Sequence, residues 1–198
     1  SVRCVSEPVA LRSGRCLARC SCQSFGPSCS FFCAEGYGFL SVTRFLVRLC
    51  KFCAVTPTWS VKMLTDNQGL ITCLQSCLPH SNPFPNLTLA SDWDVTQEIA
   101  CGLRTMKQVP TLQHVKGHQD SNTEYVALSL EAQLNVDADA EAGFYQCTYP
   151  AQRPRIPRLP SNPMQLHLDG KVICARIKQQ LQEASTVPKY LEYVAKRN

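Results

Sequence analysis

From Ala34 to Cys53 the polar side chains Ser41, Arg44, Arg48 and Lys51 stand three, four and three residues apart. Those are the separations of neighbours on one face of an α-helix. On another face Glu35, Phe39, Val42, Leu46, Leu49 and Cys53 recur at intervals of four, three, four, three and four. A helix of this length carrying an apolar stripe has to bury it against other elements, so the chain must build a packed core. With 44% hydrophobic and 18% charged residues among 198, the composition suits one compact domain with an appendage. A carboxylate, Glu35, heads the apolar stripe.

The other segments alternate in character around this helix. Gly14 to Phe25 reads as a strand ending in the turn Gly26-Pro27, and Trp59 to Thr65 as a short strand followed by Asp66, Asn67 and Gly69. A second helical stretch reaches about Leu78, and three prolines between Pro79 and Pro85 make a loop. Ser91 is a natural N-cap for a helix from Asp92 to about Lys107. Residues 111 to 116 alternate as a strand, Gly117 to Leu128 is a polar loop, and Ser129 to about Gln146 is rich in helix-forming residues. The order β-α-β-α-β-α predicts an α/β layered domain.

Prolines recur every three or four residues from Pro150 to Pro163, which favours an extended linker. The chain thus divides into a domain over 1–148, a proline-rich linker over 149–163 and a basic C-terminal segment over 164–198. In that last segment Met164 to Leu168, with Asp169-Gly170, suggests a strand and tight turn, and Val172 to Ala184 a helix. Charge follows the division: residues 1 to 146 hold 11 basic and 12 acidic side chains, whereas residues 147 to 198 hold 9 basic and 3 acidic. The basic segment attracts polyanions by phosphate contacts and counterion release. There is no apolar run of membrane-spanning length and no signal-peptide pattern, so an intracellular place, cytoplasm or nucleus, is expected.

Thirteen cysteines, eight of them in the first 53 residues, would make a disulfide framework in an exported protein, but no export signal is present. Zinc is the other structural use. Cys50 and Cys53 form one C-x-x-C, with Cys16, Cys20, Cys22, Cys29 and Cys33 upstream, whereas zinc sites ordinarily show two matched pairs. Reduced thiols packed as small hydrophobes are the simpler use.

Three carboxylates stand where bulk surface charge is not expected: Glu35 on the apolar stripe, Asp66 at a strand's end, and Asp139 within Asn135-Val-Asp-Ala-Asp-Ala-Glu-Ala142. Carboxylates converging from separate elements repel one another and lose water, so they persist when they share a hard cation or take up protons. Each also has an ordinary use: Glu35 as a helix-dipole acid, Asp66 as an N-cap, Asp139 as a solvated helix charge.

Four features in order resemble the ribonuclease H domains carried by the reverse transcriptases of retroelements: Ala34-Glu35 opening a long helix, Thr65-Asp66-Asn67-Gln68 after a strand, Val115-Lys116-Gly117-His118, and Asn135-x-x-Ala138-Asp139-x-x-Ala142 in a late helix. The intervals are 31 residues from Glu35 to Asp66, 52 from Asp66 to His118 and 21 from His118 to Asp139, and the last includes a polar insertion from Asp120 to Leu130. The resemblance spans residues 14 to 146 and implies a three-layer fold, a central mixed β-sheet flanked by helices. It implies that Glu35, Asp66 and Asp139 coordinate magnesium, with manganese as a substitute. The implied reaction is hydrolysis of the RNA strand of RNA-DNA hybrids, with His118 assisting proton transfer or product departure. The implied setting is a longer polyprotein that includes a reverse transcriptase domain. Asp137 and Glu141 fall outside the motif's register.

The family carries a further aspartate on its first strand, whereas residues 1 to 65 contain only Glu7 and Glu35 as acids. Either that aspartate lies upstream of Ser1 or the site binds nucleic acid without cutting it. Binding needs only suitably spaced cations, and Arg44, Arg48, Lys51, Lys116 and the basic tail supply them. Tyr37, Trp59 and Trp93 are candidates for base stacking, with core packing as their alternative use. A cysteine-rich zinc-binding interaction module is the expectation from a different class.

Overall fold

The computed structural model describes residues 3–6, 9–10, 15–16, 20–23, 30–53, 61–81, 90–148, 159, 166–173 and 176–196. The long helix α1 runs Phe31–Cys53. Ser30 starts it by accepting the Cys33 backbone N–H on its hydroxyl at 3.0 Å, and that hydroxyl donates to Asp92 Oδ2 at 3.1 Å. The strand β5 (Lys62–Thr65) leads into α2 (Gln68–Cys77), followed by α3 (Trp93–Arg104), β6 (Thr111–His114) and α4 (Leu130–Thr148). Upstream lie β1 (Arg3–Ser6), β2 (Val9–Ala10), β3 (Arg15–Cys16) and β4 (Cys20–Gln23). Downstream are β7 (His167–Leu168), β8 (Lys171–Val172) and α5 (Ile177–Ala195).

The core lies where α1, α2 and α3 meet. Leu70, Leu74, Ile99 and Leu103 are fully buried, with Phe39, Leu40 and Leu46 of α1 and Met63 of β5 around them. Two glycines set the α1–α3 spacing. A Cβ on Gly102 would lie 2.7 Å from Thr43 Cγ2, and one on Gly36 would lie 2.9 Å from Val95 Cγ1. Thr43 is itself buried and donates to the Phe39 carbonyl at 2.8 Å, which satisfies its hydroxyl inside the contact. Arg104 at the end of α3 closes α2 from outside: it donates to the carbonyls of Cys77 (2.6 Å), Leu78 (3.3 Å) and His80, groups a helix terminus leaves unpaired.

The expected central mixed sheet is not what forms. Among the described residues the strands make four separate two-stranded ladders: β1–β4, β2–β3 and β7–β8 antiparallel, and β5–β6 parallel. Helix dominates, and the α/β ribonuclease H-like three-layer fold is therefore corrected to a helical assembly with small ladders. The physical reason is the shortness of the pairs. No ladder exceeds four residues, and β1 meets α1 and α4 by packing, with no ladder hydrogen bonds to β5 or β6. The expected strand over Gly14 to Phe25 is two short pieces, β3 and β4, on different ladders.

Other boundaries move for local reasons. Ser91 does not cap α3; the cap position is Asp92, held in left-handed backbone (φ 53°), while Ser91 Oγ accepts the Arg176 N–H at 3.2 Å. The C-terminal helix starts later than expected and runs on to Ala195, with Pro188 inside it. Of its side chains Ile177 is buried, whereas Val187, Tyr190 and Leu191 are exposed. The loop residues 82–85, Trp59 and the linker lie outside the described residues, except Leu159, which is buried in the core cluster. No helix among the described residues is long and apolar enough to cross a membrane.

Candidate active site

β5 delivers the first part of the site. Thr65, its last residue, is buried; its hydroxyl donates to Glu35 Oε2 at 3.1 Å and accepts the Asn67 N–H at 3.1 Å. Asn67 then caps α2, its Oδ1 taking the Leu70 N–H at 3.0 Å. The cap is thus Asn67, and the Asp66 carboxylate is not spent on the helix. Thr65 fastens the fifth residue of α1 to the end of β5 and brings Glu35 beside Asp66.

β6 delivers the second part. Its parallel register sets His114 opposite Thr65, the Val115 N–H continues the ladder to the Thr65 carbonyl at 3.0 Å, and His114 Nε2 lies 3.1 Å from the Asp66 carbonyl oxygen. The chain then passes so close to Asp66 that a Cβ on Gly117 would sit 2.7 Å from Asp66 Oδ2. His118 follows in left-handed backbone (φ 51°) at the head of a short 3₁₀ turn, Gln119–Ser121. Its side chain is exposed.

α4 delivers the third part. Lys62 of β5 pairs with Glu131 of α4 at 3.6 Å, which holds the first turn of α4 against β5. Two turns on, Asp139 feels Asp66, His118 and Asp120. Its neighbours are engaged elsewhere, Asp137 with the Tyr125 hydroxyl at 3.0 Å and Glu141 with the Ser21 hydroxyl at 3.1 Å. One turn before Asp139, the Asn135 side-chain amide nitrogen is buried without a hydrogen-bond partner.

The electrostatics record the convergence. Burial first, then the charge of Asp66, push the Glu35 carboxyl from its ordinary 4.5 up to about 7; the Thr65 hydrogen bond opposes this and the charge of Asp139 adds to it. The Asp139 carboxyl is also raised, by partial desolvation first and then by Asp66, with His118 pulling it down and Asp120 pushing it up. Asp139 is exposed as a residue, so its desolvation is local to the carboxyl.

All four expected residues, Glu35, Asp66, His118 and Asp139, therefore share one region. The ligand set is looser than expected: among the described residues no three His, Cys, Asp or Glu side chains are gathered closely enough to hold a metal ion. β1 packs against both α1 and α4, yet its residues Arg3 to Ser6 carry no carboxylate. The donor chemistry fits a hard divalent cation: these are carboxylate oxygens, and burial first and then the charge of Asp66 disfavour the anions of Glu35 and Asp139, a cost that a shared cation relieves. Asp120 was not anticipated, since it opens what reads as a polar insertion; its place two residues after His118 was the available signal.

The zinc expectation finds nothing to rest on among the described residues. Cys33, Cys50, Cys73, Cys77, Cys101 and Cys147 form no disulfide, and the side chains of Cys16, Cys20, Cys22, Cys29 and Cys53 lie outside the described residues. Of the stacking candidates, Tyr37 is buried and Trp93 half-buried, so both serve packing. No family model, no curated protein and no solved structure matches the chain, so the site rests on its own geometry.

Proposed function

We propose that this chain is a divalent-metal-dependent nuclease that hydrolyses the RNA strand of RNA-DNA hybrids, as the ordered motifs imply. The observation that carries the reading is the convergence of Glu35, Asp66 and Asp139, from α1, β5 and α4, into mutual electrostatic range. Magnesium or manganese, when bound, supplies Lewis-acid polarisation of the phosphate and activation of water. Glu35, Asp66 and Asp139 are the residues to hold it. Thr65 fixes the orientation of Glu35, Gly117 lets the His118 loop lie against Asp66, and His118 is exposed for exchanging a proton with the product. Lys116 and the basic C-terminal segment contribute phosphate contacts. Such a domain works inside the cell, in cytoplasm or nucleus, beside a reverse transcriptase domain in a retroelement polyprotein.

A second reading is favoured by the absence, among the described residues, of a carboxylate on β1 and of a gathered ligand trio: a hybrid-binding relative that no longer cuts. One experiment separates them. The chain is incubated with end-labelled RNA-DNA hybrid and magnesium, then manganese, beside an Asp66→Asn variant. Cleavage of the RNA strand that disappears in the variant supports the nuclease; binding without cleavage under both metals supports the second reading and removes the first.

A further inference from the structure

The outer face of α1 holds a groove that the carboxylate site does not use. Ser41, Arg44, Phe45, Arg48, Leu49 and Phe52 line a space of about 440 Å³. Phe52 is 90% exposed, an unusual position for a bare phenyl ring, and Arg48 beside it has no acidic partner among the described residues. Lys51, three residues after Arg48 on the same helix, is exposed, and Arg44 reaches Glu98 at 3.1 Å with its own side chain still half-exposed. No acidic side chain lines the groove.

Glu35 and Arg44 are nine residues apart on the same helix, about two and a half turns, so Arg44 stands on the opposite side of α1 from Glu35.

We propose that this groove docks single-stranded nucleic acid, with bases stacked on Phe52 and Phe45 and phosphates paired with Arg48, Lys51 and Arg44. Three observations select this occupant. The exposed ring of Phe52, with the half-buried Phe45 one face along and cations between them, forms a stacking platform along a charged track, which accepts any base because every base has a flat face. The charge complements a polyanion, with no carboxylate in the lining to repel phosphate. The volume suits one or two ring-sized groups, whereas an amphipathic partner helix inserts anchors over about two turns. The Ser41 hydroxyl is turned back to the Tyr37 carbonyl at 2.8 Å, which leaves the groove floor apolar for base contact. The inference is independent of whether the carboxylate site cuts.

The test is fluorescence anisotropy of short labelled oligothymidylate and oligouridylate with the full chain, in chelator, at low salt of about 50 mM. Both oligonucleotides are expected to bind, and to weaken steeply as salt rises. Phe52→Ala is expected to lower affinity about tenfold. Phe52→Trp is expected to retain affinity, and Arg48→Glu to weaken binding further while flattening the salt dependence. Both groove positions are exposed, so circular dichroism is expected to show each variant folded like the parent. Failure of either oligonucleotide to bind at low salt overturns the proposal. So does parental affinity in both Phe52→Ala and Arg48→Glu, or capture of a synthetic acidic amphipathic helix when the oligonucleotides are ignored.

Discussion

Glu35 sits in a folded state that resists its charge. Burial, and then the charge of Asp66, push its carboxyl from an ordinary 4.5 up to about 7. Below pH 4.5 the folded and unfolded chains both hold the proton and no penalty arises; between 4.5 and 7 the penalty grows, and above 7 it is complete. Glu35→Gln is therefore expected to stabilise the metal-free chain at pH 8 by roughly 1–3 kcal/mol, after allowance for solvent screening of a half-buried group, and to change it little at pH 4. Urea melts of both proteins at the two pH values check this. A gain at pH 4 equal to that at pH 8 would break the link to titration. Hybrid cleavage, by contrast, is expected to vanish in the same variant, since Glu35 is one of the residues that would hold the metal. Gly117 gives a companion prediction: Gly117→Ala pushes a methyl into Asp66 Oδ2 and displaces the carboxylate. Magnesium affinity by calorimetry should fall several-fold while the melting curve moves by less than about 1 kcal/mol, since the yielding atom is the end of one side chain.

At the scale of elements, the α1–α3 crossing depends on what Gly102 lacks. Gly102→Ala drives a methyl to 2.7 Å from a Thr43 methyl that is itself fully buried, so one helix must shift. Overpacking of this kind is expected to cost about 1–3 kcal/mol in urea denaturation, even though alanine is the better helix former. Thr43→Ser removes the opposing methyl, and the double variant is expected to recover part of the loss. The helices were legible in the sequence for the same reason: α1 repeats its faces over five turns, and α4 continues the Ala-rich stretch after Ser129. Sheet organisation was not. Ladder partners are chosen by residues far apart in sequence, and segments of two to four residues carry too little alternation to specify which neighbour they join. The cap of α3 falls at Asp92 rather than at the expected Ser91, and the Asp92 carboxylate accepts from Ser30 just before α1, a contact with no local signature. Glu35, Asp66, His118 and Asp139 were singled out by their order in the sequence, whereas the Thr65 link and the place of Asp120 exist only once β5, α1 and the His118 loop meet.

For the whole molecule, a cation shared by carboxylates from three elements would act as a cross-link. A ligand bound by the folded chain alone raises the melting temperature in proportion to the logarithm of its concentration above Kd. Magnesium at about a hundred times Kd is therefore expected to add roughly 2.7 kcal/mol of stability to the parent and close to none to Asp66→Asn. Calorimetric scans over a magnesium series check this, and equal shifts in both chains would place the ion elsewhere. The cleavage assay and this measurement are separable: a chain that binds magnesium and does not cut would keep the shift.

Leu159 alters where the folded unit ends. It lies in a proline-rich stretch that composition assigns to a spacer, yet its side chain is 4% exposed and belongs to the same cluster as Leu70 and Ile99. A spacer that leaves a leucine inside its neighbour is a belt with a buckle. A chain ended after Thr148 would keep every helix of the site and still carry an unfilled hole of leucine size, at a cost of about 2–5 kcal/mol by analogy with leucine truncations in cores. Protease nicks on either side of residue 159 are expected to be tolerated unequally for the same reason, since only the cut that keeps Leu159 joined to the body leaves the buckle tied.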